Sequence, residues 1–168
     1  MPEPVASRIV AAAIERGASI AVAESLTGGM VVAALVSVPG ASAVVRGGIV
    51  AYATPIKHSL LGVDAALLER EGAVDPNVAM QMATGARVAA AIDGAPATYG
   101  VATTGVAGPD PQDGKPVGLV YVGVAGPSGV EAVELRLAGD RSEIRAEATA
   151  GALEALLAAL SRDAAVAV

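Results

Sequence analysis

The stretch SIAVAESLTGGM, residues 19–30, joins a short apolar run to two hydroxyl residues and a pair of glycines. The run 19–24 is short and mostly apolar, which predicts a buried strand. The apolar residues after the glycines predict a helix that ends before Pro39. A strand that turns directly into a helix is the first unit of an α/β fold. Ser25 and Thr27 lie in the turn itself, which is where ligands bind in such folds.

Hydrophobic patterns along the rest of the chain alternate between strands and helices. The predicted helices cover residues 3–16, 28–38, 55–61, 64–71, 76–92 and 140–161. The predicted strands cover residues 19–24, 44–53, 98–105, 117–125 and 130–137, of which the last two form a hairpin. Asp75 and Pro76 fit the N-cap and first position of the fifth helix. The pattern predicts a three-layer α/β/α sandwich with a mixed, mostly parallel sheet of about five strands and a C-terminal hairpin.

Composition limits the classes of protein to which the chain can belong. Its 168 residues show no repeat and no linker-like block, so we expect one domain over 1–168, with 164–168 as a loose tail. The chain is 54% apolar but contains no Phe or Trp, so its core must be aliphatic. A net charge of −6 disfavours direct nucleic-acid binding, which needs a basic face. The absence of cysteine excludes disulfides and thiolate chemistry and fits a cytoplasmic location.

The uncharged segment 26–45 is nominally long enough to span a membrane. Glycine and proline interrupt it, so we expect a buried helix followed by a turn, and no membrane contact. The start of the chain lacks the basic and apolar regions of a signal peptide.

Two loops rich in hydroxyls and glycine follow predicted parallel strands, which should bring them to the same edge of the sheet. The first covers residues 25–29, directly after Glu24, and the second is TTGVAGP, residues 103–109. Free amides at the helix that follows the first loop would favour a phosphate. Neither loop matches a Walker A or dinucleotide fingerprint, so a structural turn and a ligand site stay equally open. The candidate substrate contacts in these loops are Glu24, Thr27, Gly28, Gly29, Thr104, Gly105 and Gly108.

Ser25 can act as a nucleophile only if a base takes its proton. The single histidine, His58, lies in a polar helical stretch, where an exposed surface position is the simpler interpretation. The candidate bases are therefore Lys57, Tyr52 and Glu24. Lys57 requires burial or a nearby positive charge that lowers its pKa. We expect no metal ion and no cofactor.

Three cations are candidates for binding an anion. Arg141 and Arg145 lie one turn apart on the last predicted helix, and such a pair suits a phosphate or a carboxylate. Pairing with surface glutamates is an equally good interpretation of both arginines. Lys115 precedes the hairpin in a loop, from which a mobile cation can close over an anion.

Residues 5–162 resemble the CinA C-terminal domain family, because seven motifs occur here in the family's order. They are AESLTGG, PGAS, GGIVAY, K…LLGV, TTGVAGP, KPVG and GDR…IR. The resemblance implies nicotinamide-nucleotide amidase activity, which hydrolyses the carboxamide of nicotinamide mononucleotide to nicotinate mononucleotide and ammonia. Larger relatives carry a further N-terminal domain, so the chain resembles the standalone form.

With such a substrate, we expect Ser25 as the nucleophile, Lys57 as its base, and Tyr52 relaying a proton or orienting the amide. The positive pyridinium ring would disfavour a protonated Lys57 and so help it to act as a base. Backbone amides near Gly28 or Gly105 would stabilise the tetrahedral oxyanion. Ribose and phosphate contacts are expected from Thr27, Thr104 and Arg141.

Two other functions stay open. One is hydrolysis of another nucleotide or sugar phosphate, which differs from deamidation because it releases no ammonia. The other is a non-catalytic nucleotide- or protein-binding module linked to competence or DNA damage. In each enzymatic case the partner is a small-molecule nucleotide or sugar phosphate. The alanine-rich helices would pack well between subunits, so we expect a homo-oligomer.

Overall fold

A computed structural model describes residues 3–166, in which strands and helices alternate. In chain order the elements are α1 (Val5–Glu15), β1 (Ile20–Glu24), α2 (Met30–Val36), β2 (Val45–Val50), α3 (Thr54–Leu61), α4 (Ala65–Glu71), α5 (Pro76–Ala89), β3 (Tyr99–Gly105), β4 (Leu119–Gly126), β5 (Gly129–Arg136) and α6 (Arg141–Val166). Every predicted helix and strand is present, and their ends differ from the predicted ones by a few residues. A short 3-10 turn, Ala41–Ala43, lies between α2 and β2.

The sheet is mixed, with the strand order β2-β1-β3-β4-β5. Strand β1 pairs in parallel with β2 on one side and with β3 on the other. Strands β4 and β5 form the predicted hairpin and join the sheet antiparallel to β3. Strands β2 and β3, which follow β1 in the chain, therefore lie on opposite sides of it. The carboxyl ends of β1 and β3 border a crevice of the kind where α/β proteins bind ligands.

Helices cover both faces of the sheet, which confirms the three-layer sandwich. Helices α1, α2 and α6 pack on one face over an aliphatic core that includes Ile9, Leu35 and Leu156. Helices α3, α4 and α5 pack on the other face, with Val78 and Met82 at the centre. Burial of each such side chain contributes about 1.5–3 kcal/mol, which is how an almost ring-free core holds the layers together.

Helix α5 begins where the sequence predicts, because the Asp75 carboxylate accepts hydrogen bonds from the amides of Asn77 and Val78 at 2.8 and 3.4 Å. The helix lies unusually close to the sheet. A Cβ at Gly100 or Gly123 would overlap its backbone carbonyls, so only glycine fits at these two strand positions. This close packing fixes the loop before α5 against the crevice.

The last helix is longer than the sequence indicated. Residues 164–166 continue α6, so the predicted loose tail is wrong for them, and residues 167–168 lie outside the described part of the chain. Alanine has the highest helix propensity and no breaker follows Ala158, so the helix has no local reason to stop. Segment 26–45 forms a helix and a turn, as expected. Across 3–166, no helix has both the length and the apolar character of a membrane span.

Candidate active site

A cavity of about 320 Å³ lies at the carboxyl ends of β1 and β3, between the two loops that the sequence singled out. Seven of the residues that the sequence proposed for the site line this cavity: Ser25, Tyr52, Lys57, Thr104, Gly105, Gly108 and Arg141. The predicted convergence of the two loops is therefore confirmed. A larger and mostly apolar groove beside α3 and α5 contains no charged residue and lies apart from Ser25.

The centre of the cavity is a hydrogen bond between Ser25 and Lys57. Ser25 directly follows β1, and Lys57 reaches it from the second turn of α3. The Lys57 Nζ donates to the Ser25 Oγ at 3.0 Å and to the main-chain oxygens of Ala51 and Tyr52 at 2.7 and 3.4 Å. Only 1% of Lys57 is exposed, so these contacts satisfy its three donors away from bulk water.

Burial lowers the pKa of Lys57 from 10.5 to about 8. No carboxylate of the described residues lies within salt-bridge distance of it, so nothing offsets the loss of hydration. At pH 7 roughly one molecule in ten then carries a neutral amine. A neutral amine beside a serine hydroxyl can accept its proton, which is the arrangement that an activated serine nucleophile requires.

His58 has no part in this arrangement. Its ring is exposed, and Nδ1 lies 2.7 Å from the Val63 oxygen at the end of the same helix. The surface position expected for His58 is confirmed. Within residues 3–166, no group of three His, Asp or Glu side chains is placed to hold a metal ion.

Glu24 was a candidate both for the base and for a substrate contact, and both predictions are wrong. Its side chain is fully buried, with 0% exposure. One carboxylate oxygen accepts from the amides of Gly29 and Val31 at 2.9 and 3.1 Å, and the other accepts from Val32 at 2.9 Å. Glu24 thus binds the amino end of α2 from within the protein. The same contacts overturn the prediction that this helix end holds a phosphate, because its amides are already occupied.

The other candidates of the first loop also have internal partners, and none of them lines the cavity. Thr27 is 0% exposed, and its hydroxyl lies 2.7 Å from the hydroxyl of Thr103. Gly28 and Gly29 have φ angles of +60° and +103°, which explains why the turn needs glycine. The Gly28 amide donates to the Ser25 oxygen at 3.1 Å, so it is not free to bind an oxyanion. The structure therefore contradicts a substrate contact from the buried Thr27 hydroxyl, whereas contacts from Gly28 and Gly29 stay predictions.

The second loop does face the cavity. The Thr104 hydroxyl is buried and donates to the Ala73 oxygen at 2.6 Å, which leaves its lone pairs as acceptors. Val106 donates to Leu119 across the antiparallel ladder, and the alternation of such a ladder turns the amide of Gly105 towards the Ser25 side. Gly105 lines the same cavity as Ser25, and its role in binding an oxyanion stays a prediction.

The two arginines of α6 have different positions. Arg141 lines the cavity and donates to the Gly108 oxygen at 2.6 Å and to the Tyr52 hydroxyl at 2.9 Å. Arg145 lies outside the lining of the cavity, so its substrate contact stays a prediction. The Arg145 guanidinium instead donates to the main-chain oxygens of Leu26 and Thr27 at 2.8 and 3.3 Å.

The amino end of α6 is also capped from within. Asp140 accepts from the amides of Ser142 and Glu143 at 2.7 and 2.9 Å, and Glu143 accepts in return from the Asp140 amide. Any anion near Arg141 therefore meets the guanidinium rather than free amides of the helix.

A tight turn before β4 brings in residues that the sequence did not indicate. The main chains of Gln112 and Lys115 pair across Asp113 and Gly114, which both have positive φ. Asp110 and Gln112 line the cavity, whereas Lys115 lies outside its lining. Asp-Gly is a common hairpin signal, but nothing in the local sequence indicates that this turn folds over the crevice.

Comparisons with known proteins show what this chain is similar to. The model of the family described as CinA C-terminal domain matches residues 2–160. A CinA-like protein of Frankia casuarinae is 53% identical over 141 residues, which are 84% of this chain and 31% of that protein. A CinA-like protein of Anaeromyxobacter dehalogenans is 48% identical over 95% of this chain and 37% of its own length. The chain thus spans about a third of these curated relatives.

Solved structures of similar length share the fold. The competence/damage inducible protein CihA from Agrobacterium tumefaciens is 39% identical with a TM-score of 0.85, over 94% of this chain and 93% of that one. A competence-damaged protein (CinA) superfamily protein from Klebsiella pneumoniae is 31% identical with a TM-score of 0.87, over 94% and 96%.

Proposed function

The chain belongs to the CinA C-terminal domain family, and from this premise we propose that it is an amidohydrolase that deamidates nicotinamide mononucleotide. The products are nicotinate mononucleotide and ammonia. The observation that carries the proposal is the 3.0 Å contact between the Ser25 hydroxyl and a buried lysine amine in a cavity at the ligand-binding edge of the sheet.

The first half-reaction forms an acyl-enzyme. The neutral amine of Lys57 takes the Ser25 proton while the Ser25 oxygen bonds to the carboxamide carbon, and the carbonyl becomes a tetrahedral oxyanion. The oxyanion then collapses, and the carbon–nitrogen bond breaks. The nitrogen takes the proton from the Lys57 ammonium and leaves as ammonia.

The second half-reaction repeats these steps with water. Lys57, neutral again, accepts a proton from a water molecule that attacks the ester carbon. The ester bond to Ser25 then breaks, the serine oxygen regains a proton from Lys57, and the carboxylic acid leaves. One water is consumed for each ammonia released.

The charges in the cavity fit a pyridinium nucleotide. Arg141 lines the same cavity as Ser25 and keeps donors in addition to the two it uses for Gly108 and Tyr52, so it can bind a phosphate. The pyridinium charge repels the protonated form of Lys57 and lowers its pKa further on binding. A substrate of this charge therefore favours the form of the lysine that the reaction needs.

The experiment is incubation of the purified protein with nicotinamide mononucleotide, followed by assays of ammonia and of nicotinate mononucleotide. We expect both products from the wild type and neither from Ser25→Ala, which keeps the same circular dichroism spectrum because alanine fits the turn. The matched control is Ser42→Ala, an exposed serine remote from the cavity, which should keep wild-type turnover. Ammonia release by Ser25→Ala would exclude Ser25 as the nucleophile.

A panel of other nucleotides and sugar phosphates tests the alternative hydrolase. If the protein removes a phosphate or a base from one of these compounds and releases no ammonia, the amidase proposal is wrong. The cavity would then still be the site of the reaction.

A further inference from the structure

The loop between β3 and β4 borders the mouth of the cavity with two polar side chains, those of Asp110 and Gln112. Both residues are exposed, whereas Ser25 and Lys57, deeper in the cavity, are only 9% and 1% exposed. The chemistry proposed at Ser25 uses neither Asp110 nor Gln112, so their place beside it has no explanation yet.

Alternate residues of this segment face the cavity. Asp110 and Gln112 belong to its lining, whereas Pro111 and Asp113 do not. Side chains two residues apart in an extended chain lie on the same side, and the residue before a proline is restricted to extended backbone. The alternation therefore indicates that the side chains of Asp110 and Gln112, and not their main chain alone, face the mouth of the cavity.

The segment is held at both ends. On one side the Gln112 amide donates to the Lys115 oxygen at 3.1 Å, and the Lys115 amide donates back to the Gln112 oxygen at 2.8 Å. On the other side the Gly108 oxygen accepts from Arg141 at 2.6 Å. These contacts use main-chain groups of the segment and leave its two polar side chains free for a ligand. Because the backbone is already fixed, a ligand loses little affinity in ordering it.

The Asp110 carboxylate binds no cation of the described residues, although two cations line the same cavity. Arg141 donates instead to Gly108 and to the Tyr52 hydroxyl, and Lys57 is held deeper in the cavity. Within residues 3–166, no salt bridge includes Asp110. The carboxylate oxygens are therefore acceptors that a ligand can use.

The chemistry of a carboxylate beside a primary amide identifies the part of a nucleotide that fits here. A phosphate would be repelled by the carboxylate, a pyridinium ring has no N–H, and the carboxamide must lie at Ser25. The ribose offers two neighbouring hydroxyls, each of which can donate and accept. Its position also fits, because the ribose joins the carboxamide end, at the buried Ser25, to the phosphate end, at the exposed Arg141. Acidic side chains bind ribose hydroxyls in dinucleotide-binding folds for the same reason.

Resting on the proposed function of this cavity, we infer that Asp110 and Gln112 bind the 2′- and 3′-hydroxyls of the substrate's ribose. Asp110 accepts hydrogen bonds from the hydroxyls, and the Gln112 amide nitrogen donates to one of them. The pair determines specificity, because a deoxyribosyl substrate leaves part of it without a partner. Neither residue takes part in breaking the carbon–nitrogen bond.

The test uses Ser25→Ala, which removes the proposed nucleophile so that binding is measured without turnover. Isothermal titration calorimetry compares nicotinamide mononucleotide with its 2′-deoxy and 3′-deoxy analogues. A hydrogen bond to a charged group is worth about ten- to 150-fold in affinity, so the ribonucleotide should bind at least about tenfold more tightly than either analogue. Adding Asp110→Asn should reduce this preference to about threefold or less, through weaker binding of the ribonucleotide.

Two further variants give the result its meaning. Asp113→Asn makes the same change of charge on the same turn but outside the cavity lining, and it should keep the full preference. Gln112→Leu keeps the size of the side chain and removes its amide. It should lower the preference about two- to tenfold, because a neutral hydrogen bond contributes less than a charged one. An unchanged preference in Asp110→Asn or in Gln112→Leu would overturn the assignment of that residue.

A second probe, ribose 5-phosphate, contains no amide and separates the inference from the proposed function. We expect the wild type to bind it more tightly than 2-deoxyribose 5-phosphate. If it does so but releases no ammonia from nicotinamide mononucleotide, the amidase proposal fails and the inference stands. If ammonia is released but the ribonucleotide and its deoxy analogues bind Ser25→Ala equally, the inference is overturned and the amidase proposal stands. Equal losses for all three nucleotides in Asp110→Asn would also overturn it, because they indicate attraction of the ring charge rather than contacts with the hydroxyls.

Discussion

The Lys57 amine donates to the Ser25 hydroxyl at 3.0 Å and forms no salt bridge with a described carboxylate. Many buried lysines are paired with an acid, which keeps them protonated. Here the partners are two main-chain oxygens and the serine, so burial acts on the pKa without opposition and brings it to about 8. The two residues thus have the contact that the proposed nucleophile and base require, without a histidine.

The first prediction concerns pH. Lys57 must be neutral to accept the Ser25 proton, and it is neutral above its pKa. We therefore expect kcat/KM for nicotinamide mononucleotide to rise about tenfold per pH unit below pH 8 and to level off above it. The kcat profile should turn at a lower pH, because the bound pyridinium lowers the same pKa in the complex. Equal midpoints would contradict a ring charge placed near Lys57.

The control for this assignment is Lys57→Arg, which keeps a positive charge but cannot lose a proton at these pH values. We expect loss of turnover at every pH tested. Lys115→Arg makes the same change at the only other lysine of the chain, outside the cavity lining, and should keep the wild-type profile. Substantial kcat in Lys57→Arg would leave Lys57 as an electrostatic contact only.

A second prediction separates stability from function at Glu24. Glu24→Ala leaves the amides of Gly29, Val31 and Val32 at the start of α2 without their acceptor, and charged hydrogen bonds of this kind are worth about 1.5–3 kcal/mol each in favourable cases. Because water can replace part of the loss, we expect the free energy of unfolding to fall by about 2–4 kcal/mol in urea denaturation. The exposed Glu154→Ala on α6 should change it by less than about 0.5 kcal/mol. Full stability with weakened substrate binding would restore Glu24 as a ligand contact.

A third prediction concerns Tyr52, which the sequence assigned to proton relay or amide orientation. Its side chain is 60% exposed, and its hydroxyl contacts Arg141 at 2.9 Å. We expect Tyr52→Phe to raise KM about two- to tenfold by releasing Arg141, with kcat within about threefold of wild type. Steady-state kinetics of the wild type and of Tyr52→Phe give both KM and kcat. A kcat lowered a hundredfold or more would support the relay.

The fold was predictable because its signals are local. Strand and helix positions follow from apolar runs broken by glycine and proline, and the cap at Asp75 is readable from two residues. The site was predictable only as a location and as a close contact between Ser25 and Lys57. Hydroxyls, glycines and acids of a loop look alike in sequence whether they face a ligand or each other. Glu24 and Thr27 prove to be internal partners because buried polar groups must be satisfied, and such pairing depends on elements far apart in the chain.

The last prediction concerns the phosphate. Arg141 is the arginine that lines the cavity, whereas Arg145 binds the loop behind it. A charge-assisted contact is worth about 1.5–3 kcal/mol, or about ten- to 150-fold in affinity. We expect the wild type to prefer nicotinamide mononucleotide over its dephosphorylated riboside by at least this factor in kcat/KM. Arg141→Ala should erase most of the preference.

The riboside serves as the internal control, because it lacks the phosphate and should lose little in Arg141→Ala. Tyr52→Phe supplies the second control, since it removes the hydroxyl that Arg141 contacts but keeps the guanidinium. That variant should therefore retain more of the preference than Arg141→Ala. Equal losses for nucleotide and riboside would mean that Arg141 acts by holding the Gly108 oxygen and the shape of the second loop. Lys115, on the turn beside Gln112, would then become the phosphate candidate, because Arg145 does not line the cavity.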